Sequence, residues 1–256
     1  MSVKAKKHLG QHFLTDENIA RKIVDGLSFE GYRSVMEVGP GMGVLTKYLL
    51  EKDQHIYLAE IDKESIEYLK DNYPKVTEET FVGDFLKQDF QFTDGEQIAI
   101  IGNFPYNISS QILFQIIDHY ELIPEMVGMF QKEVAERTAA VPRTKDYGIL
   151  SVLIQAYYDT AYLFTVHENV FNPPPKVKSG VIRITRNPKE GLAGNEVLFK
   201  KIVKAGFNQR RKKLSNALKI LSIPEALKTH EFMDKRAEEL SVTDFIAFTQ
   251  LWKENQ

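Results

Sequence analysis

The chain contains no cysteine among its 256 residues and only one tryptophan. Without cysteine it can form no disulfide bond, no thiolate metal site and no cysteine nucleophile. It also has no run of about 18 apolar residues, which argues against a membrane-spanning segment. The first eight residues lack the apolar stretch of a secretory signal peptide. These absences together predict a cytoplasmic protein.

The chain has little net charge, but its charged residues are unevenly distributed. The net charge is −2, and the six histidines are not spaced like metal ligands, so we predict no metal site. Residues 1–182 carry 18 Lys and Arg against 26 Asp and Glu, whereas residues 183–256 carry 15 against 9. The basic end indicates a contact with nucleic acid, although a solvated helical face would give the same asymmetry.

Apolar runs alternate with helical patterns through the first two thirds of the chain. The clearest strands are predicted at 34–38, 56–60 and 98–102, and a helix is predicted at 63–72. This alternation predicts parallel βαβ units, and therefore an α/β, Rossmann-like, doubly wound sheet. The other elements predicted here are a helix capped by Thr15, helices at 44–51, 109–119 and about 146–158, and strands at 80–82, 126–130, 162–166 and 177–185.

A segment rich in Gly and Pro, residues 187–194, predicts a linker. Beyond it the pattern is helical, and Ser241 to Asp244 resembles a capping box. The sequence therefore predicts a catalytic domain of residues 1–186 and a small all-α domain of residues 187–256. The helical patterns of this second domain are residues 197–207, 214–221 and 241–252.

The segment Asn103-Phe104-Pro105-Tyr106 follows a predicted buried strand. Pro105 fixes its own φ and moves Phe104 out of the helical region, so nearby carbonyls are free to face a ligand. The Asn103 side-chain oxygen and a backbone carbonyl can accept both N–H bonds of an exocyclic amine, and Tyr106 can cover the ring. The residues predict a nucleobase pocket. The alternative is an ordinary strand-ending turn, since Asn and Pro are common turn residues.

A glycine-rich loop joins the first strand to its helix. Glu37 is followed by Gly39, Gly41 and Gly43, and these glycines would let the backbone approach a ligand closely. The dinucleotide pattern Gly-x-Gly-x-x-Gly is not met, because residue 44 is Val. The loop is therefore interpreted as a cofactor loop, with a simple packing turn as the alternative.

Acidic residues follow the next two predicted strands. Glu60 ends the second strand, where its carboxylate can accept both ribose hydroxyls of an adenosine. Asp84 follows the third strand and can accept a hydrogen bond from the adenine amine, while Phe85 lines the ring. The alternatives are a surface glutamate and a helix-capping aspartate. Together the sites predict an adenosine-containing cofactor along the sheet rim, with Asn103 holding the substrate.

These motifs resemble, over nearly the whole chain, the S-adenosylmethionine-dependent rRNA adenine N6,N6-dimethyltransferases. Residues 10–14 are similar to that family's amino-terminal cofactor segment, and residues 171–179 to its Phe-x-Pro-x-Pro-x-Val-x-Ser segment. His12 stands where Asn is commoner, and Phe104 replaces Leu or Ile. The resemblance implies Asn103, Phe104, Pro105, Tyr106 and Phe171 as catalytic residues, with Phe171 on the target base. It implies cofactor contacts at Gln11, His12, Leu14, Glu37, Gly39, Gly41, Glu60, Ile61, Asp84, Phe85 and Asn103.

The implied reaction is direct displacement, in which the adenine amine attacks the sulfonium methyl of S-adenosylmethionine in line. Within the family the sequence is most similar to the small-subunit branch, which modifies two adjacent adenosines in a hairpin loop near the 3′ end of 16S rRNA. The expected partner is therefore 16S rRNA in the 30S subunit, and the protein is expected to be a monomer. The basic run Arg210, Arg211, Lys212 and Lys213 is interpreted as an RNA phosphate contact, with a solvated face as the alternative.

Other functions fit parts of the sequence. Methylation of 23S rRNA or of DNA would use the same chemistry, and a non-catalytic factor could clamp immature small subunits. A nicotinamide oxidoreductase would explain the Tyr-x-x-x-Lys pair of Tyr48 and Lys52. That pair lies in the helix directly after the glycine loop, however, where it cannot reach a nicotinamide ring.

Overall fold

The computed structural model describes residues 3–187, 192 and 194–256. Residues 188–191 and 193 of the expected linker lie outside the described residues. The chain divides into two compact units, Met1–Ala135 with Thr160–Arg186, and Glu136–Asp159 with Asn187–Gln256. A single boundary was expected at residue 187, whereas residues 136–159 also belong to the second unit. Tyr147 explains why, because its hydroxyl donates to the Leu240 carbonyl at 3.0 Å and its ring packs against Phe207.

The first unit is organised around a mostly parallel sheet. The strands are β1 (Phe13–Leu14), β2 (Ser34–Val38), β3 (His55–Ala59), β4 (Ile98–Asn103), β5 (Glu125–Gln131), β6 (Tyr158–Val166), β7 (Phe171–Asn172) and β8 (Ser179–Arg186). Their order in the main sheet is β3-β2-β4-β5-β8-β6. Strand β2 is parallel to β3 and β4, β4 is parallel to β5, and β8 is antiparallel to β5. The predicted α/β, Rossmann-like fold is confirmed.

The strands are apolar because the sheet is covered on both faces. Every residue of β2 is buried, and so are Ile98 to Ile101 of β4. The strand predicted at 80–82 is absent from the described chain. Residues Glu78–Thr80 form a single 3-10 turn, and Phe81 makes only an isolated bridge to Leu58.

The helices largely follow the predicted pattern, although several are shorter. They are α1 (Glu17–Val24), α2 (Thr46–Leu49), α3 (Lys63–Asn72), α4 (Ser109–Asp118), α5 (Lys132–Thr138), α6 (Ile149–Gln155), α7 (Glu196–Asn208), α8 (Leu214–Ala217) and α9 (Val242–Glu254). The cap of α1 is Asp16, whose carboxylate accepts hydrogen bonds from the backbone of Asn18 and Ile19. Thr15 was expected in that role, but its hydroxyl donates to the Val170 carbonyl. Among the described residues, no helix is long and apolar enough to cross a membrane.

The second unit is built on aromatic packing between its helices. Phe245 and Phe248 of α9 are fully buried, and Trp252 packs edge-on against Phe248. The predicted capping box at the start of α9 is present. The Ser241 hydroxyl accepts from the Asp244 N–H at 3.1 Å, and the Asp244 carboxylate accepts from the Ser241 N–H at 2.8 Å.

Candidate active site

A cleft, which we call the rim cleft, opens at the carboxyl edge of the main sheet. Because β2 is parallel to β3 and β4, the loops that follow these strands leave the sheet at the same edge. The walls of the cleft are residues 8–13, residues 38, 39 and 41, residues 59–61, residues 83–85 and residues 103–108. The structure therefore brings together most of the residues that the sequence predicted for the site.

The glycine loop after β2 forms one wall of the rim cleft. Gly39 and Gly41 both have positive φ, at 68° and 56°, a conformation that other residues rarely adopt. A Cβ on Gly41 would also lie 2.8 Å from the ring of Phe13. The Gly39 N–H donates to the Ala59 carbonyl at 2.9 Å, which fixes the loop against the end of β3.

Glu60 lies directly after β3 and is almost completely buried. One carboxylate oxygen accepts from the N–H groups of Ile61 and Asp62, both at 2.9 Å, and the other accepts from the Gly41 N–H at 3.2 Å. Burial raises the pKa of Glu60, although these backbone hydrogen bonds oppose the rise. A carboxylate has about four acceptor positions, so capacity remains for ligand hydroxyls. In the described part of the chain, no group of three acidic or histidine side chains could hold a metal ion.

Asp84 and Phe85 form another wall of the rim cleft. The Oδ1 atom of Asp84 accepts from the Leu86 N–H at 3.0 Å, so the helix-capping alternative is observed for this oxygen. Oδ2 lies 3.6 Å from the ammonium of Lys87. Phe85 is buried, whereas Ile61 is 57% exposed, an unusual fraction for a large apolar side chain. Phe85 and Ile61 therefore offer apolar surface for a flat ring.

The amide of Asn103 has a fixed orientation. Its Nδ2 donates to the backbone carbonyl of His12 at 2.8 Å. Because a carbonyl can only accept, the amide nitrogen must face His12, and Oδ1 is then the free edge of the side chain. Asn103 therefore presents an acceptor to the rim cleft.

The ring of Phe104 packs in the core and anchors the turn that follows Asn103. Phe104 is buried and packs on Phe130 with ring centroids 4.8 Å apart. Gly102 and Gly128 make room for this ring, since a Cβ at Gly128 would lie 2.0 Å from it. The Phe104 N–H donates to the Met129 carbonyl at 3.1 Å. The side chain at position 104 is thus a core residue, and Phe104 and Pro105 line the cleft beside Asn103.

Tyr106 is held at its hydroxyl and along its ring. The hydroxyl lies 2.5 Å from the hydroxyl of Ser179, at the start of β8, and the ring stacks on His12 at 5.5 Å with an interplanar angle of 27°. His12 Nδ1 lies 2.8 Å from the Pro173 carbonyl and must therefore carry a proton in this contact. Burial raises the pKa of Tyr106, so its hydroxyl remains protonated near neutral pH.

Gln11 lines the rim cleft, but both polar atoms of its side-chain amide already form hydrogen bonds within the protein. Its Oε1 accepts from the Lys6 N–H at 2.8 Å, and its Nε2 donates to the Asp62 carboxylate at 3.2 Å. Gln11 therefore ties the amino-terminal segment to the loop after β3. Any contact between Gln11 and a ligand would have to share these groups.

Three residues expected in the site do not line the cleft. Leu14 and Phe171 are paired across β1 and β7, and both side chains belong to the hydrophobic core. Phe171 is 4% exposed and, unlike the similarly buried Phe85, is not among the residues that line the cleft. Glu37 is buried in β2, where the Thr46 hydroxyl donates to its carboxylate at 2.6 Å. All three side chains are buried and are not among the residues that line the rim cleft, so the contacts expected of them stay predictions.

The basic run after α7 separates into residues with different roles. The Arg210 guanidinium donates to the Glu238 carboxylate at 2.6 Å and to the carbonyls of Lys145 and Thr144. It therefore holds two loops of the second unit together. Lys213 pairs with Asp234 at 2.8 Å.

The two middle residues of this run are different. Arg211 and Lys212 are exposed, and their side chains make no ion pair within the described chain. The preceding helix α7 adds two exposed lysines, Lys201 and Lys204, on one face. The free positive charge is therefore not the run that the sequence indicated, since it omits Arg210 and Lys213 and extends onto α7.

Several residues of the site were not found from the sequence. His8, Leu9, Asn107 and Ile108 line the rim cleft, although they carry no signal beyond lying next to a motif. Asp62 is 3% exposed and caps α3. Its place two residues after Glu60 and one before a helix could have indicated the cap, but not its contacts with the distant amino terminus.

The fold and the cleft define a class of protein. A crystal structure of a dimethyladenosine transferase from Plasmodium falciparum superposes with a TM-score of 0.78, over 95% of this chain and 98% of that chain, at 23% identity. That identity is low, so the likeness concerns the fold. With the glycine loop, Glu60 and the Asn-Phe-Pro-Tyr turn at one edge of the sheet, the chain has the Rossmann-like fold of class I methyltransferases.

Sequence relatives then identify the family. The chain is 57% identical over 251 residues to the ribosomal RNA small subunit methyltransferase A of Cytophaga hutchinsonii, covering 97% of each chain. It is 58% identical over 249 residues to the protein of the same name from Flavobacterium johnsoniae, covering 97% of this chain and 95% of the relative. The family model for ribosomal RNA adenine dimethylase matches residues 2–253. The chain belongs to the ribosomal RNA adenine dimethylase family.

Buried Glu37 predicts a pH dependence of stability. Burial raises the pKa of Glu37 to about 8, well above the ordinary value near 4.5 that applies in the unfolded chain. Between about pH 5 and 8 the unfolded chain loses this proton while the folded chain keeps it, so Glu37 lowers stability as the pH rises. Glu37→Gln removes this effect. We expect the unfolding free energy of the variant, relative to wild type, to increase by at most about 1.4 kcal/mol per pH unit across this window.

Denaturant unfolding of both proteins at several pH values measures this difference. The exposed Glu67→Gln is the matched control, and its difference from wild type is expected to stay constant. A constant difference for Glu37→Gln as well would show that Glu37 is ionised in the folded protein.

Proposed function

We propose that this chain transfers methyl groups from S-adenosylmethionine to N6 of two adjacent adenosines in a hairpin loop near the 3′ end of 16S rRNA. The product is N6,N6-dimethyladenosine, and the setting is the 30S subunit in the cytoplasm, with the protein acting as a monomer. The observation that carries the proposal is the orientation of Asn103, whose acceptor edge is free at the same sheet edge as Glu60 and the glycine loop. The small-subunit target rests on the similarity to relatives named for that subunit.

The donor groups of the rim cleft fit an adenosine that carries a cationic side chain. Glu60 would take the ribose hydroxyls, because the residue lines the cleft and its Oε2 accepts only from the Gly41 N–H, which leaves acceptor capacity on that oxygen. Asp84 Oδ2 would accept from the adenine amine, between the apolar surfaces of Ile61 and Phe85. Gly39 and Gly41 would bring the backbone close to the ligand. S-adenosylmethionine, when bound there, supplies an electrophilic methyl group on a sulfonium.

The second half of the site would hold the target base. Asn103 Oδ1 accepts from the N6 amine, which localises the nitrogen lone pair and stabilises the positive charge that develops on it. Tyr106 is fixed by Ser179 and His12, so its ring can cover a base without losing much side-chain entropy. A stack of this kind contributes about 1 to 3 kcal/mol. A buried Phe171 leaves Tyr106 as the supported aromatic contact.

A particle assay tests the proposed target. Labelled S-adenosylmethionine is mixed with 30S particles that lack dimethyladenosine, with 50S particles or with duplex DNA, and nucleosides are then analysed. We expect label in N6,N6-dimethyladenosine from the 30S particles only. Label in 50S particles or DNA would assign a different substrate, and no label in any sample would support a non-catalytic role in assembly.

Asn103→Ala separates chemistry from cofactor binding. Removing an acceptor that acts on the developing charge is expected to lower kcat by about 100-fold or more, while the affinity for S-adenosylmethionine changes less than about threefold. Single-turnover methylation and calorimetry measure the two quantities. Asn72→Ala, at the exposed end of α3, is the control and should retain both. Wild-type activity in Asn103→Ala would remove the proposed role of this amide.

The basic residues of the second unit predict two separate phenotypes. Arg211→Ala combined with Lys212→Ala is expected to weaken RNA binding and to reduce the slope of log affinity against log salt by about one per lost phosphate contact. Stability should not change, because these side chains have no partners among the described residues. Arg210→Ala should instead lower the unfolding free energy by about 1 to 3 kcal/mol, since Glu238 and the Lys145 carbonyl lose the guanidinium donor and the Thr144 carbonyl keeps only the Tyr147 N–H.

Filter binding at several salt concentrations and denaturant unfolding measure the two effects. An unchanged salt slope in the double variant would place the RNA contact elsewhere on the protein. A stable Arg210→Ala protein with a reduced slope would make Arg210 an RNA ligand rather than a structural residue.

A further inference from the structure

Residues 6–12 run along the rim cleft as a segment that we call the strap. Its carboxyl end continues into β1, which is fixed by antiparallel pairing with β7. Residues 8–13 form a wall of the cleft, so a ligand bound there contacts the strap. At its amino end the strap is held by side-chain contacts of Lys6 and Gln11.

Those contacts converge on one buried carboxylate. The side chain of Asp62 is 1% exposed, and it forms an ion pair with the Lys6 ammonium. It also accepts from the Gln11 amide at 3.2 Å. Lys6 reaches Glu64 as well, at 3.1 Å. Two strap residues are therefore held at the start of α3, just after Glu60.

We infer that Lys6 and Asp62 form a latch that holds the strap over bound cofactor and so slows cofactor release. Both are positioning residues, since neither lines the rim cleft. The inference rests on the proposed function, because it assigns to the strap the retention of the same cofactor.

The charges of the latch agree with this role. Burial alone would raise the pKa of Asp62, but the hydrogen bonds from Lys6 and Gln11 hold it below its ordinary value. The same contact raises the pKa of Lys6. Both groups are therefore charged at neutral pH. The Lys6 side chain is 28% exposed, so dissolved salt can reach one side of the pair and weaken it.

The strap also connects the two halves of the site. The carbonyl of His12 accepts from Asn103 Nδ2 at 2.8 Å, and the His12 ring contacts Tyr106. The latch lies at the cofactor half, beside Glu60, whereas His12 lies at the base half. A strap that leaves Asp62 would therefore open the cofactor half first, because β1 holds the segment near His12 in place.

Lys6→Met tests the latch with little risk to folding. Asp62 would keep three donors, the Gln11 amide, the Ser65 hydroxyl and the Glu64 N–H. Lys7→Met is the matched control, because Lys7 is exposed, adjacent and without a partner in the described chain. Lys6→Arg is the conservative variant, since it keeps a charged donor.

The measurement is the dissociation rate of labelled S-adenosylmethionine, chased with unlabelled compound, together with the KM for S-adenosylmethionine and kcat on 30S particles. We expect Lys6→Met to release the cofactor about tenfold faster, as for loss of one charge-assisted hydrogen bond, and to raise KM more than it lowers kcat. Lys7→Met should stay within twofold of wild type, and Lys6→Arg should recover most of the loss. The dissociation rate of Lys6→Met divided by that of wild type should fall towards one as the salt concentration increases, because salt weakens the ion pair.

A second variant loosens the strap without touching the ion pair. Gly10 has φ of +66°, and a Cβ there would lie 2.6 Å from the Asn107 side chain. Gly10→Ala is therefore expected to speed the release of the cofactor, as Lys6→Met does. If wild type binds S-adenosylmethionine and Lys6→Met releases it no faster than Lys7→Met, the latch is refuted while the proposed function stands. If wild type does not bind S-adenosylmethionine at all, the proposed function itself fails.

Discussion

The parallel pairing of β2 with β3 and β4 is the constraint on which the site depends. Parallel neighbours end at the same edge of a sheet, so the glycine loop, Glu60 and Asn103 meet although up to 64 residues separate Gly39 from Asn103 in the chain. Backbone hydrogen bonds then join two of these loops to neighbouring strands. Gly39 donates to the end of β3, and Phe104 donates to β5. The floor of the cleft is therefore fixed by backbone hydrogen bonds, whereas the amino end of the strap is held by side-chain contacts with Asp62.

The pKa values of three neighbouring carboxyl groups shift differently because their surroundings differ. Glu37 is buried with one hydroxyl donor, and its pKa rises to about 8. Glu60 is buried but faces backbone N–H groups, which partly offset the effect of burial. Hydrogen bonds from Lys6 and Gln11 hold the pKa of Asp62 below its ordinary value. Burial therefore raises the pKa most plainly where few donors face the carboxylate, and the paired Asp62 shifts in the opposite direction.

The basic end of the chain shows why net charge is an incomplete guide to a binding surface. Arg210 and Lys213 are as basic as Arg211 and Lys212, but acidic partners within the second unit already use their charge. A paired cation offers little to a phosphate, since binding would first have to break an internal contact. The free positive charge of the second unit is therefore set by tertiary pairing, and it includes Lys201 and Lys204, which no motif marked.

The sequence by itself determined the alternation of strands and helices, the loops that carry chemistry and the family, because these depend on local periodicity and on residue types at short spacing. It identified Gly39, Glu60, Asp84 and Asn103 as neighbours from strand order alone. Only the tertiary structure decided which side chains face the cleft. Leu14, Glu37 and Phe171 belong to motifs, yet all three are buried, Leu14 and Phe171 in the core where β1 pairs with β7 and Glu37 within β2. Conversely, Lys6 and Asp62 meet across 56 residues of chain, a contact that no local pattern encodes.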